Sequence, residues 1–441
     1  MRSKRLSTLA TAAVLALGCA PSAFAQNLRE LYEAARAFDA TYLAARAQAQ
    51  SAEFKALQAD ALGLPSASLG AAATTANVDP ANVPAGDSNT ISATLSGRYP
   101  LFNRANAATQ EQARKSLTVS KAELEAAEQD LIVRLAQAYF DVLAAQDSLG
   151  TTRASKAATA EQLASAKRNF EVGTATITDT REAQARFDLE QAREIAADND
   201  LRAKRIALDT LVGRTGVAPK PLVVPVVLPA VLPADPEVWV GTGDAQHPTI
   251  RRAQAGLEIA TLEIARARAA ESPTLDAVAS LGLAKYAGRY PSGTPGSPTR
   301  NASIGLQFNL PLYTGGATGN RISETISLEE KARNDLAAAR RGVAQGTRVA
   351  YFGVQSGIAQ VKALEAAESS TKLALEATQL GYRVGVRVNL DVLNAQTQLF
   401  QTQRDLARAR YDVLVGGLRL QQASGQLDVG DVDAVNALLA K

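Results

Sequence analysis

Tyr382–Gln396 reads YRVGVRVNLDVLNAQ, and Phe170–Gln184 reads FEVGTATITDTREAQ. Both stretches carry a Val-Gly pair, an Asp six residues after the Gly, and a closing Ala-Gln. Gly385 lies as far beyond Gly173 as Asp391 lies beyond Asp179. Each stretch interrupts a long Ala- and Gln-rich region without proline, so each reads as a sharp break between two helices. Gly173 and Gly385 suit the position just past a helix end, where φ is positive. Thr178 or Asp179, with Glu182 three residues after the Asp, suits the cap of the helix that follows the first break.

The prolines parse the rest. After Pro21 they fall in three windows, Pro65–Pro100, Pro219–Pro248 and Pro273–Pro311, leaving 101–218 and 312–441 free for uninterrupted helix. From Arg104 to Leu149 there is neither Gly nor Pro, and apolar residues keep helical spacing. If Gly150 is tolerated the helix reaches Val172, a rod on the order of 100 Å at 1.5 Å per residue. Such a rod belongs to a coiled coil or an elongated tube. The sequence AYF at Ala138–Phe140 recurs at Ala350–Phe352 with the same offset as the two Val-Gly breaks, and YPLFNRANA from Tyr99 matches LPLYTGGAT from Leu310. The chain is therefore an internal duplication, with a period far too long for a solenoid.

The N-terminus reads as a secretory leader over 1–25, with basic MRSKR, apolar LATAAVLALG and an AFA cleavage site before Gln26. ALGC around Cys19 is a partial lipobox, but Ala16 stands where Leu is usual, and ordinary cleavage at AFA is the expectation. Removing the leader takes Arg2, Lys4 and Arg5 from a total of 47 basic residues, leaving 44 basic against 44 acidic. That balance gives no case for nucleic acid. The mature chain keeps one histidine, His247, and no cysteine. Catalytic triads using His, Cys-His pairs and Cys/His metal clusters fall away by inventory. His247, before Pro248 and a helical run, reads as a helix-entry residue.

Four segments alternate with period two: 65–75, 90–101, 274–284 and 302–312. Ile91, Ala93, Leu95, Gly97, Tyr99 and Leu101 point one way, and Ser92, Thr94, Ser96 and Arg98 the other. Each is about ten residues, the length of a tilted membrane strand. Tyr99, Phe102, Tyr286 and Tyr313 lie near strand ends, where an aromatic girdle is expected. A small water-soluble sheet with one buried face fits the same alternation. Four strands cannot close a barrel and open edges do not exist in lipid, so membrane strands here require several copies of the chain.

With the leader, the duplicated strand-loop-strand units and the two Val-Gly-x5-Asp breaks in place, the mature chain resembles the TolC family of outer-membrane channel proteins. The resemblance implies an α+β membrane protein. A long α-helical coiled-coil barrel would continue into a transmembrane β-barrel, four strands per chain and twelve as a homotrimer. It divides the chain into a leader (1–25), a first repeat (26–213) with helices 104–172 and 178–213, and an equatorial linker (214–246). A second repeat (247–425) follows with helices 316–384 and 390–425, then a C-terminal tail (426–441). It implies a passive duct without enzymatic activity or cofactor. The duct would dock with a periplasmic adaptor and an inner-membrane ABC or resistance-nodulation-division transporter, for drug efflux or type I protein secretion. Thr178, Asp179, Tyr382, Arg387 and Asp391 match positions that hold the periplasmic entrance closed, and three Asp391 side chains would favour cations. Asn394 stands where some members carry a second acid ring. The alternative is a periplasmic adaptor with a coiled-coil hairpin, a binding protein rather than a channel. The second hairpin carries Tyr382, Arg387 and Asp391 together, and is the one expected to move.

Overall fold

The computed structural model describes residues 26–79, 81, 84–223, 225–289 and 296–440. The leader, Cys19 and the tip of the second strand-joining loop lie outside the described residues. Two helices, α1 (Leu28–Phe38) and α2 (Ala40–Asp60), lead into strands β1 (Ser66–Val78) and β2 (Gly86–Phe102). The chain then runs through α3 (Arg104–Glu171) and back along α4 (Ile177–Val212). The second half repeats the order as α5 (Pro236–Gln246), α6 (Pro248–Ala269), β3 (Thr274–Gly288), β4 (Thr299–Asn309), α7 (Ala317–Arg383) and α8 (Asn389–Ala423), and a short α9 (Val429–Asn436) follows. α3 has 68 residues and passes through Gly150 without a break, so it spans about 100 Å.

Each start has a local cause. Asn103 stops β2 and caps α3, its side chain accepting from the N–H groups of Ala105 and Asn106 at 3.0 and 3.1 Å. His247 caps α6, its Nδ1 accepting from the Thr249 N–H at 3.1 Å, with Pro248 at the first helical position. Burial of this imidazole without a charged partner lowers its pKa.

The four strands form one antiparallel sheet in the order β1-β2-β3-β4. The register aligns the faces across all four strands: Leu69, Leu95, Leu281 and Ala302 form one row, and Ala67, Gly97, Ala279 and Ile304 the next. This apolar face is open, with Leu69 75% and Ile304 89% exposed. The opposite face carries a row of four hydroxyls, Ser68, Ser96, Ser280 and Ser303, hydrogen-bonded in pairs at 2.8 Å. Below it Arg98 donates to the buried Asp276 carboxylate at 2.6 Å. The ladder continues beyond the expected segments, because backbone pairing proceeds in water as well as in lipid. Tyr286 corrects the girdle expectation: it pairs with Thr90 on the hydroxyl face, whereas Tyr99 shares the apolar face. β1 and β4 are edges with no partner among the described residues.

The main core lies midway along the helices. Leu28, Leu31 and Tyr32 of α1 pack with Leu135, Tyr139, Phe140 and Leu143 of α3, Leu208 of α4 and Leu414 of α8. The duplicated AYF motif clamps the proline-rich linker. Tyr139 donates its hydroxyl to the Lys220 carbonyl at 2.9 Å, and Tyr351, its twin in the second half, donates to the Ala234 carbonyl. The linker also pairs with both chain ends. Gln26 N–H donates to the Ala218 carbonyl at 2.8 Å, and Ala440 N–H to the Pro221 carbonyl at 2.8 Å. Among the described residues no helix is long and apolar enough to cross a membrane.

Candidate functional site

The far ends of the two hairpins, α3/α4 and α7/α8, bring the singled-out residues together. α3 ends at Glu171 with Val172 as its C-cap, Gly173 takes φ +78°, and the Thr174 N–H donates to the Asn169 carbonyl at 2.8 Å. The second hairpin repeats this, with Gly385 at φ +77° and the Val386 N–H on the Gly381 carbonyl at 2.9 Å. A left-handed residue here satisfies the last helical carbonyls while turning the chain.

The caps differ between the copies, and the sequence-based assignment needs correcting. The cap of α4 is Thr176, not Thr178 or Asp179. Thr176 Oγ1 accepts from the Asp179 N–H at 3.2 Å, while the Asp179 carboxylate accepts from the Thr176 N–H at 2.9 Å and its hydroxyl at 2.8 Å. Asp179 is thus the third helical residue of a capping box. Thr178 is exposed and has no side-chain hydrogen bond among the described residues. The position of Thr176 in the second copy is Val388, which has no hydroxyl and gives α8 no side-chain cap. Asp391 is therefore released from capping and faces Arg387, one turn back, at 3.6 Å. The Arg387 stem lies over Gly381, where any Cβ would stand 2.8 Å from its Cγ.

Three polar links join the hairpins. Asn169 of α3 donates to the Tyr382 hydroxyl of α7 at 3.2 Å. Arg186 of α4 donates to Asn394 of α8 at 2.9 Å. The third centres on Asn389, which is 2% exposed: its carbonyl accepts from the Gln162 side chain, and its amide donates to the Asp179 carbonyl at 3.3 Å. Beneath them Leu163, Ala166, Ala183 and Leu393 form a small apolar plug. Tyr382 and Asn394 therefore each bridge the two hairpins, while Arg387 and Asp391 pair within one.

Thr176, Asn169, Gln162, Arg186 and Asn389 escape a reading centred on the Val-Gly-x5-Asp pattern. The duplication itself carries the missing signal. Asn389 replaces Ile177 of the first copy, a polar residue at a position that is apolar in its twin, and Val388 replaces Thr176. No group of His, Cys, Asp or Glu among the described residues could hold a metal ion. The tips carry polar links between the hairpins and charged side chains at their rims.

Comparison with known proteins agrees with this architecture. The family model described as outer membrane efflux protein matches residues 31–214 and again 241–426, one match per half. The chain is 32% identical over 423 residues to outer membrane protein TolC of Vibrio cholerae, covering 96% of each. It is 31% identical to the alkaline protease secretion protein AprF of Pseudomonas aeruginosa, over 80% of this chain and 73% of that one. Its fold resembles the outer membrane protein VceC of Vibrio cholerae with a TM-score of 0.77 at 22% identity, covering 90% of this chain and 96% of that one. The chain belongs to the outer membrane efflux protein family, with the TolC proteins, and is a protein of the outer membrane.

Proposed function

We propose that three copies of this chain close a twelve-stranded barrel in the outer membrane and a helical tunnel beneath it. The assembly serves as a passive export duct gated at the hairpin tips. The observation that carries this reading is the sheet: one face is largely apolar and mostly exposed, and both edges are unpaired among the described residues. Each unpaired backbone group in hydrocarbon costs several kcal/mol. A sheet of this kind is stable in a bilayer only when neighbouring copies pair with β1 and β4. Eight strands from two copies leave a lumen filled by side chains, whereas twelve leave a pore.

The tip is the gate in this reading. Tyr382–Asn169, Asn389 with Gln162 and Asp179, and Arg186–Asn394 hold the α7/α8 hairpin against α3/α4, and opening breaks them. The Arg387–Asp391 pair then tunes the charge at the mouth, and Thr178 stands at its exposed rim. The cargo is drugs or unfolded protein, delivered by an inner-membrane ABC or resistance-nodulation-division transporter through a periplasmic adaptor. The secretion name borne by one relative and the efflux name of the family support this reading. The test is planar-bilayer recording of the purified protein, sized beforehand as an oligomer. Replacing Tyr382 with Phe together with Arg387 with Ser is expected to raise single-channel conductance, and Asp391→Ala to weaken cation preference. A monomer that forms no pores overturns the duct, and unchanged conductance in the double variant overturns those two residues as gate elements.

A further inference from the structure

The exposed apolar face of the sheet ends in two cations. Between the row of Phe102, Leu275 and Phe308 and the row of Ala73, Ile91 and Lys285, its only charged residues are Lys285 and Arg300. Arg300 stands opposite Leu283, so Lys285 is its diagonal neighbour on the same face. Diagonal pairs of this kind have Cβ atoms about 7–8 Å apart, within joint reach of two long side chains. Both residues are exposed, and neither side chain has an ion-pair or hydrogen-bond partner among the described residues.

Their height along the strand is as informative as their charge. Lys285 lies ten residues beyond Leu275, roughly 33 Å along the strand. At a tilt near 45° this is about 23 Å of bilayer depth, close to the apolar height of about 25 Å typical of outer-membrane barrels. The two cations therefore lie at the loop-side boundary of the apolar band. The opposite boundary carries Tyr99, Phe102 and Phe308 and no charge on this face. Aromatics anchor at an interface of either sign, whereas a pair of unpartnered cations is stable at the edge of hydrocarbon when anionic head groups meet it.

We propose that Lys285 and Arg300 form a binding site for the phosphate of an anionic lipid in the leaflet on the loop side. Arg300 supplies the planar, two-pronged contact and Lys285 a point charge from the adjacent strand. The inference rests on the barrel reading, because it requires this face to meet lipid.

The test is native mass spectrometry of the full-length protein in neutral detergent, titrated separately with phosphatidic acid, phosphatidylcholine and inorganic phosphate. Phosphatidic acid is expected to remain bound, with phosphatidylcholine and inorganic phosphate leaving no adduct. The double variant Lys285→Gln/Arg300→Gln should bind it roughly 30-fold more weakly, at about fivefold per charge. Lys285→Arg should keep wild-type binding. Planar-bilayer conductance of the same preparations separates the two levels of the reading. A double variant that conducts normally and holds phosphatidic acid as tightly as wild type overturns the lipid site alone. Displacement by inorganic phosphate at similar concentration shows a free-anion site and overturns it as well. A wild-type protein that neither oligomerises nor conducts overturns the barrel on which it rests.

Discussion

Asn389 is the residue whose loss should open the tunnel mouth most. It is nearly fully buried at the start of α8, and its two hydrogen bonds reach α3 through Gln162 and the first turn of α4 through the Asp179 carbonyl. In Asn389→Ala both partners lose a contact that water replaces only after the hairpins part. With each bond contributing about 1 kcal/mol net, the closed arrangement loses about 2 kcal/mol relative to the open one. That corresponds to a shift of roughly 30-fold toward opening. Tyr382→Phe is the internal control. It removes a single 3.2 Å bond from Asn169, at about 0.5 kcal/mol and so about a twofold shift. The assay is open probability in planar bilayers, paired with hydrogen exchange of the amides around Gly173 and Gly385. Exchange should rise in the same order as open probability. If Tyr382→Phe opens the pore more than Asn389→Ala, or if Asn389→Ala inserts normally and leaves both readouts unchanged, the assignment of the latch to Asn389 is wrong.

Two further outcomes follow from the helix ends. Gly173 and Gly213 both have positive φ, but a Cβ at Gly173 meets nothing within 4 Å whereas one at Gly213 lies 2.4 Å from the Phe38 ring. Gly213→Ala should destabilise the fold more than Gly173→Ala, by about 1–3 kcal/mol of overpacking, seen as a lower thermal unfolding midpoint, and Phe38→Ala should recover part of the difference. His247 titrates with the opposite sign to a paired histidine. Its folded pKa lies below the ordinary 6.5 because burial disfavours the cation, so below that value the unfolded chain binds the proton more readily. The stability His247 contributes is complete above about pH 6.5 and falls as pH drops from there toward the folded pKa. His247→Asn, which keeps a capping acceptor without a titrating group, should flatten the unfolding midpoint between pH 7.5 and 5.

Much of the fold was legible because proline and glycine act locally. The proline-free spans contain α3, α4, α7 and α8, and each period-two segment marks one of the four strands, although every strand runs past its segment. The cap of α4 was misread because Thr176, Thr178 and Asp179 are all competent capping residues. Only the path of the chain out of Gly173 chooses among them. Tyr286 was misplaced because proximity to a strand end does not reveal its face; the pairing with Thr90 does. The residues that link the two hairpins were hidden for a different reason. Gln162 meets Asn389, and Asn169 meets Tyr382, across from one half of the chain to the other, and no local pattern marks such a meeting.

The two hairpins have diverged in how firmly each is held. α3 packs against α1, α2, α4, α6 and α8, whereas α7 packs against α5, α6 and α8. Between α3 and α4 Lys204 reaches Asp141 at 3.0 Å. At the equivalent positions of the second half, α7 and α8 carry Gly353 and Gly416. The salt bridge has no counterpart there, and both glycines line an open groove of about 720 Å³. Phe140 is buried and stacks on Tyr411, while its twin Phe352 is 54% exposed. Local opening draws on the least buried elements. This contrast supports the second hairpin as the moving part, with α3 as the fixed post. In the proposed gating, breaking the tip links would free a hairpin whose own flank is already lightly packed, with the clamps at Tyr139 and Tyr351 as the expected pivot.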